Sequence, residues 1–241
     1  MANPFFKFKQ FTIYQDKCAM KVCTDSCLFG AWSTTLIKTK SLNCKNVLDV
    51  GSGTGLLSLM LAQQHDFEIT AIEINKEASQ QALENVASSN YHSQIKIVQG
   101  DIRSFMSDKK FDFIISNPPF FEDDLKSDSN SKNAAMHSTE LTINELFDFV
   151  SQNLSPEGNV ALLIPFHRSE GVEKLISNHT LFIAEKTLVK QSYQHHYFRV
   201  MYLLSVQNNH ESICKEISIY DDNKQYTDEF IDLLEPYYLY L

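Results

Sequence analysis

The sequence predicts an α/β fold, in which a doubly wound and mostly parallel β-sheet carries helices on both faces and a short N-terminal β-hairpin precedes it. Short apolar runs alternate along the chain with amphipathic segments, which is typical of successive βαβ units. The first of these runs ends in a glycine-rich turn and is followed directly by an apolar helix. With 241 residues, 43% of them apolar, the chain can bury one sizeable core.

The predicted elements follow one another with short connections. In chain order the core consists of strand 46–50, helix 56–62, strand 68–74, helix 76–89, strand 95–99, strand 111–116, helix 143–154 and strand 160–165. The last strand follows a predicted turn at 156–158. Ahead of the core, residues 5–14 alternate aromatic or β-branched with polar residues and predict a strand, with a turn at 15–17 that makes it part of a small N-terminal hairpin. Residues 221–235 predict an amphipathic helix that closes a sheet edge.

We expect a single domain, 1–241, made of a basic extension at 1–45 and the core at 46–241. The net charge of −9 argues against charge-driven binding of nucleic acid over the whole surface. Residues 1–45, however, contain seven lysines and only two aspartates. This region can contact an anionic partner locally, although a solvated lysine face explains the same pattern.

Several classes of protein are excluded or disfavoured by composition. No apolar run is long enough to span a membrane, and Lys7 and Lys9 stand where a signal peptide would be apolar. The five cysteines are an odd number in a long chain, which suits free thiols in a reducing cytoplasm. No tight Cys-x-x-Cys pair is present, so we expect no metal site.

A glycine-rich turn follows the first core strand. Gly51, Gly53 and Gly55 have the spacing Gly-x-Gly-x-Gly. Glycine in such a turn lets the backbone approach a ligand where a Cβ atom would clash, and ligands of open α/β sheets bind beyond the carboxyl ends of the strands. The sequence lacks the Gly-Lys-Ser/Thr of a triphosphate loop, which argues against an NTPase. We expect the three glycines to line a cofactor site.

Acidic residues end or follow the next two predicted strands. Glu73 lies about 20 residues after the glycine turn, the spacing at which an acid accepts both ribose hydroxyls of a bound nucleoside. Asp101 follows the third strand, where its carboxylate can accept from an adenine amino group. For each acid the alternative role is to cap the next helix. NAD and S-adenosylmethionine both satisfy this pattern.

The sequence Asn117-Pro118-Pro119-Phe120 follows the fourth core strand. Proline fixes its own φ and keeps the preceding residue extended, so Asn117 is held rigidly. The side-chain oxygen of Asn117 and the carbonyl of Pro118 can then accept both hydrogens of one planar amino group and help its nitrogen attack. Phe120 offers an aromatic face for a base. The pattern predicts methyl transfer to such a nitrogen.

Taken together, the motifs resemble the class I methyltransferases that use S-adenosylmethionine to methylate exocyclic or amide nitrogens on a Rossmann-like sheet. The resemblance rests on Asp49 to Gly55, Glu73, Asp101 and Asn117 to Phe120. Within that class the chain is most similar to the bacterial tRNA1(Val) adenine-N6 methyltransferases. The closer similarity lies in residues 8–11, 18–22, 24–32 and 226–239, so it extends over nearly the whole chain.

The resemblance implies roles for particular residues. Asp49 belongs to the cofactor-binding motif, and Thr24 and Asp25 line the cofactor pocket from the N-terminal side. The basic hairpin faces RNA, so the expected substrate contacts come from Lys7, Lys9 and Lys17, together with Pro119 beside the catalytic Asn117, Pro118 and Phe120. The expected partner is a tRNA anticodon stem-loop. The family usually has glycine at the positions of Cys23 and Ser26.

Three other functions stay open at this point. An amide nitrogen suits the same motif, so a glutamine methyltransferase acting on release factors is an alternative. A DNA adenine methylase fits less well, because no segment is long enough for a target-recognition domain. A catalytically idle RNA-binding module is the alternative from another class.

His195 and His196 predict an exposed turn, and a surface on the substrate side is the alternative interpretation of the same residues.

Overall fold

The computed structural model describes residues 3–18, 20–118, 141–208 and 211–241. These residues form a two-stranded and an eight-stranded sheet with six helices. The strands are β1 (Phe5–Lys7), β2 (Thr12–Tyr14), β3 (Asn46–Val50), β4 (Glu68–Glu73), β5 (Ile95–Gln99), β6 (Phe111–Ser116), β7 (Leu154–Pro165), β8 (Phe182–Ser192), β9 (Tyr197–Ser205) and β10 (Ile213–Tyr220). The helices are α1 (Thr24–Thr39), α2 (Leu56–Gln64), α3 (Lys76–Ala87), α4 (Ile143–Asn153), α5 (Ser169–Asn178) and α6 (Asp228–Leu234).

The large sheet confirms the predicted mostly parallel, doubly wound architecture. Its strand order is β10-β8-β9-β7-β6-β3-β4-β5, and only β9 runs against its neighbours. The chain proceeds from β3 outward to β5, then crosses to the other side of β3 to add β6 and β7. This reversal places a crevice at the carboxyl ends of β3 and β6, where ligands of open α/β sheets bind.

Apolar side chains fill both faces of the sheet. One layer packs α1, α2 and α6 against the sheet, and the other packs α4 and α5. Helix α1 approaches α2 closely at Gly30, where an added Cβ would lie 2.6 Å from Sδ of Met60. Asn75 caps α3 by accepting from the amide of Ala78, and Thr142 forms a capping box at the start of α4.

The N-terminal hairpin is present, but its turn lies elsewhere than predicted. Strands β1 and β2 pair antiparallel, with Phe5 opposite Tyr14, so residues 8–11 form the connection and 15–17 follow the hairpin. Phe8 and Phe11 in this connection are buried and stack with ring centroids 4.6 Å apart. The predicted position of the turn was wrong because it relied on the polar residues at 15–17. The actual turn contains aromatic residues whose rings pack into the core.

Two further boundaries differ from expectation. The C-terminal helix spans Asp228–Leu234 only and packs on α1, while the sheet edge is occupied by strand β10. Strand β7 begins at Leu154, so residues 156–158 lie within it, where the pairing with β6 shifts register. Both differences depend on pairing between strands that are separated in sequence: β10 pairs with β8 at the sheet edge, and β7 pairs with β6.

The described residues contain no helix that is both long and apolar enough to cross a membrane. The five cysteines are free thiols. Among the described ranges, no three His, Cys, Asp or Glu side chains are grouped so that they could hold a metal ion.

Candidate active site

A cleft of about 840 Å³ lies at the carboxyl ends of β3, β4, β5 and β6. The structure brings together here six of the predicted cofactor-binding and catalytic residues: Gly51, Gly53, Glu73, Asp101, Asn117 and Pro118. They come from four separate turns, which the parallel pairing of the strands carries to one edge. The cleft therefore combines the glycine turn, both acids and the start of the Asn-Pro-Pro segment.

The glycine turn offers exposed backbone to the cleft. Gly51 and Gly53 have φ angles of 72° and 54°, which other residues rarely adopt, and a Cβ added at either would meet no protein atom within 4 Å. The amides of Gly51 and Ser52 both donate to the carbonyl of Ile72, so the turn is fastened to β4. Gly55 caps α2 and faces Ala82 on α3. It contributes to packing below the cleft.

The carboxylate of Glu73 joins the glycine turn after β3 to the start of α3. One carboxylate oxygen accepts from the amide of Gly53, and the other accepts from the amide of Asn75, both at 2.9 Å. The helix cap of α3 is Asn75, so capping is not the role of Glu73. Because each carboxylate oxygen can accept more than one hydrogen bond, both remain able to accept from ligand hydroxyls.

Asp49 lies beneath the glycine turn. Its side chain is fully buried, and Oδ2 accepts from the amide (3.2 Å) and hydroxyl (2.6 Å) of Ser58 in the first turn of α2. Burial raises the pKa of the Asp49 carboxyl to about 7. The Asp49 carboxyl therefore joins the end of β3 to the first turn of α2, and its part in cofactor binding stays a prediction.

Asp101 is held by an arginine two residues away. Its carboxylate accepts from Nε and Nη2 of Arg103, with the shortest distance 2.6 Å, and also caps the short 3-10 turn at 102–104. The Arg103 guanidinium holds the pKa of this carboxyl below its usual range. Arg103 also lies 3.5 Å from Glu145 on α4. Asp101 thus lines the cleft as part of an ion pair, a feature that the sequence analysis did not anticipate.

Asn117 stands at the far end of the cleft, directly after β6. Its side-chain Nδ2 donates to the hydroxyl of Ser26 at 3.2 Å, and that hydroxyl lies 2.8 Å from Sγ of Cys23. The following Pro118 is buried, which holds the backbone in place. The predicted site residues Pro119 and Phe120 lie outside the described residues.

The first turn of α1 meets Asn117 from the other side. Thr24 begins this helix, and Asp25 Oδ2 accepts from Nε of Arg199 on β9 at 2.7 Å. Through Ser26 the structure brings Thr24 and Asp25 near Asn117, away from the glycine turn. Neither residue is among those that line the cleft, and their contact with the cofactor stays a prediction.

Two of the three predicted RNA-binding lysines are engaged in ion pairs. Lys9 lies 2.8 Å from Glu235, and Lys17 lies 2.6 Å from Glu84 at the rim of the cleft. Lys7 is exposed on β1. Exposed ion pairs are weak and exchange partners readily, so these contacts leave the predicted RNA role open.

Sequence reasoning missed several contributors to the site. Ile74 and Met20 line the cleft although they are large apolar residues with 49% and 52% of their surface exposed. The signal for Ile74 was its position directly after Glu73 at the end of a buried strand. Ser26 gave no such signal, because its partner Asn117 is 91 residues away in the chain.

A family model described as "Methyltransferase small domain" matches residues 31–179. Curated relatives match over the full length and carry the name tRNA1(Val) (adenine(37)-N6)-methyltransferase. The relative from Parabacteroides distasonis is 36% identical over 99% of both chains. The relative from Bacteroides thetaiotaomicron is 38% identical over 100% of both chains, and that from Dyadobacter fermentans is 38% identical over 98% of both.

Solved structures agree on the fold. A predicted O-methyltransferase from Agrobacterium tumefaciens superposes with a TM-score of 0.66 at 14% identity, covering 87% of this chain and 95% of its own. An S-adenosylmethionine-dependent methyltransferase from Clostridium acetobutylicum superposes with a TM-score of 0.55 at 16% identity, covering 78% of this chain and 94% of its own. With this fold, the matched domain and full-length identities well above 30%, the chain belongs to the tRNA1(Val) (adenine(37)-N6)-methyltransferase family.

Proposed function

We propose that this protein transfers a methyl group from S-adenosylmethionine to the exocyclic N6 of an adenine in a tRNA anticodon loop, adenine 37 of tRNA1(Val), in the bacterial cytoplasm. The observation that carries the proposal is the full-length similarity to relatives with that name. The position of Asn117 at the end of the cleft supports it, since this is where an acceptor amino group would meet the reactive end of the cofactor.

The cleft suits a nucleoside cofactor of this size, because small-molecule sites commonly enclose a few hundred to about 1,000 Å³. We assign the ribose hydroxyls to the Glu73 carboxylate and the adenine to the neighbourhood of Asp101 and Ile74. The open backbone at Gly51 and Gly53 leaves room for the methionine portion. S-adenosylmethionine, when bound, supplies a methyl group on a positively charged sulfur. The protein supplies position and hydrogen bonds.

Asn117 has the main chemical role in this proposal. Its Nδ2 is directed to Ser26, so the opposite side of the amide presents Oδ1 to the acceptor. Oδ1 and the carbonyl of Pro118 accept the two N6 hydrogens. As the nitrogen attacks the methyl carbon its hydrogens become more acidic, so both bonds strengthen toward the transition state. The proton is lost after transfer, and no strong base is needed.

The adenine has to leave its stack to reach Asn117. Enzymes that modify bases extrude the target nucleotide, and the cost is small in a single-stranded loop. We assign the stacking of the extruded base to Phe120. An anticodon loop therefore suits this site better than a DNA duplex, for which the sequence offers no target-recognition domain.

The test is to incubate the protein and labelled S-adenosylmethionine with total RNA and protein from a strain that lacks it. We expect label in tRNA, located at N6 of the adenine next to the anticodon, and labelling slower on the order of 10²- to 10³-fold with the Asn117→Ala variant. Label in a protein fraction would support the glutamine methyltransferase instead. Cofactor binding without transfer to either fraction would support the idle RNA-binding module.

A further inference from the structure

The β8–β9 hairpin extends well past the level of the sheet at which Asn117 begins. Ser116 is paired with Leu162, and Leu162 is paired with Tyr202 of β9. From Tyr202 the strand continues five residues in the outward direction to Tyr197. At about 3.3 Å per residue this projection measures roughly 16 Å before the turn begins.

In the part of the chain that the structure describes, the two sides of this projection differ in their strand neighbours. Strand β7 ends at Pro165, opposite Arg199, whereas β10 follows β8 as far as Ser192. Among residues 3–18, 20–118, 141–208 and 211–241, no strand therefore pairs with β9 at 197–198 on the side facing β6. The ring of Phe166, from the turn after β7, packs against Tyr197 with centroids 5.2 Å apart. The hairpin thus forms a wall above the end of β7.

The wall stands on the acceptor side of Asn117. The cleft lies toward β3, β4 and β5, and the hairpin lies across β6 and β7 in the opposite direction. At its base Arg199 binds Asp25, and the adjacent Ser26 binds Asn117. A nucleotide that reaches Asn117 from the side free of cofactor therefore passes along this wall.

The composition of the hairpin is unusual for this acidic chain. Residues 186–199 contain no acid, three basic residues, three aromatic residues and two histidines. Lys186 and Lys190 pair with Glu173 and Glu216, which fastens the hairpin to the body. At the tip, Tyr193 is 54% exposed and His195 and His196 are exposed. The exposed ring of Tyr193 and the histidines contribute nothing to the core.

We propose that the hairpin tip, residues 192–197, is an RNA-docking surface whose rings stack on the loop nucleotides next to the methylated adenine. Unpaired bases stack on tyrosine and histidine rings irrespective of sequence. Asp222 accepts from Gln194 at the tip at 3.3 Å, and the basic residues at 186, 190 and 199 are ion-paired, so the proposed affinity comes from stacking and not from attraction to phosphates. This inference rests on the proposed function and adds the surface that holds the substrate; it also identifies His195 and His196 as part of that surface.

The experiment measures binding of a fluorescent anticodon stem-loop RNA of tRNA1(Val) to the full-length protein. We expect Tyr193→Ala and His196→Ala each to raise the Kd for RNA by roughly 5- to 100-fold, the effect of one lost stacking contact. Tyr193→Phe keeps the ring and should retain affinity within about twofold. Tyr193→Phe is therefore the matched control, and the wild-type protein measured in the same series is the reference.

The readouts separate this inference from the proposed function. Cofactor affinity and turnover at saturating RNA should stay near wild-type values in the hairpin variants, because the tip touches neither Asn117 nor the cleft. If the wild-type protein methylates the RNA and both alanine variants bind it as tightly as the wild-type protein does, the hairpin proposal is overturned. If the wild-type protein neither binds nor methylates the RNA, the proposed function fails as well.

Discussion

The side-chain nitrogen of Asn117 donates a hydrogen bond to the hydroxyl of Ser26, 3.2 Å away and 91 residues earlier in the chain. This contact determines which end of the Asn117 amide faces the acceptor, since the nitrogen is taken up by Ser26. The hydroxyl is itself held next to Sγ of Cys23. Ser26 is therefore a positioning residue for the group that we assign to the chemistry.

Replacing Ser26 with alanine should lower kcat while leaving cofactor affinity unchanged. The loss of one neutral hydrogen bond corresponds to about 1 kcal/mol, so we expect roughly a 3- to 10-fold decrease in single-turnover rate. Ser26→Thr keeps a hydroxyl and should recover most of the rate. In an Asn117→Ala background the Ser26→Ala effect should disappear. An equal decrease in both backgrounds would indicate a role in folding alone.

Asn117→Ala should affect the chemical step far more than binding. By analogy with the removal of one preorganised hydrogen-bonding group in other active sites, turnover should fall on the order of 10²- to 10³-fold. Cofactor Kd should stay within a few fold, because Asn117 faces the acceptor. Single-turnover methylation at saturating RNA, combined with cofactor titration, measures both quantities. Near-normal turnover would contradict the mechanism even if the fold and cofactor assignments held.

Glu73→Ala should weaken cofactor binding and leave turnover at saturating cofactor nearly unchanged. A carboxylate that holds ribose hydroxyls contributes equally to ground and transition states. Hydrogen bonds to a charged group contribute roughly 1.5–3 kcal/mol, so the Kd should rise on the order of 10- to 100-fold. Calorimetry gives this value. Glu73→Gln retains an acceptor oxygen, so its cofactor Kd should lie between that of the wild-type protein and that of Glu73→Ala. Unchanged affinity would remove Glu73 from the site.

The buried Asp49 predicts a pH-dependent difference in stability. The folded protein holds its proton up to a pKa of about 7, whereas the unfolded chain releases it near the ordinary value of 3.8. Between these values the native state binds more protons, so the contribution to stability falls as pH rises and stays low above pH 7. Asp49→Asn keeps an acceptor oxygen for Ser58. Because its amide does not titrate, this variant should not lose stability in the same way as pH rises.

The free energy of unfolding of Asp49→Asn relative to wild type should therefore increase by roughly 2–3 kcal/mol from pH 5 to pH 8. Urea unfolding of both proteins at the two pH values measures the change. A difference that is the same at both pH values would show that Asp49 is not protonated in the folded protein at pH 5.

Glu235→Gln tests whether the N-terminal hairpin faces RNA. The variant releases Lys9 from its ion pair, at a cost in stability below about 1 kcal/mol because the pair is exposed. If Lys9 then contacts one phosphate, RNA affinity should rise and the slope of log K against log salt should steepen by roughly 0.7–0.9. Glu157→Gln removes the same charge at an exposed position near the start of β7, a central strand of the large sheet. Equal effects of the two variants would exclude Lys9 from the RNA surface.

Local patterns in the sequence determined the core strands, the glycine turn, Glu73 and Asn117. Each of these depends on neighbours within one strand and its turn, and parallel pairing then brings all the strand ends to one edge. Strands β3, β5 and β6 accordingly have the predicted bounds. The ion pair between Asp101 and Arg103 is also local, but the sequence did not indicate which of several donors the carboxylate would accept from.

Tertiary structure alone decided the rest. The burial of Asp49, the bond from Asn117 to Ser26, and the pairs of Lys9 and Lys17 with distant acids each join segments far apart in the chain. The turn of the N-terminal hairpin depends on where Phe8 and Phe11 can be buried. The projection of β9 past β7 follows from the register between strands, which no single segment encodes. Such contacts form only when the whole core packs, because only the assembled fold brings these distant segments within contact distance of one another.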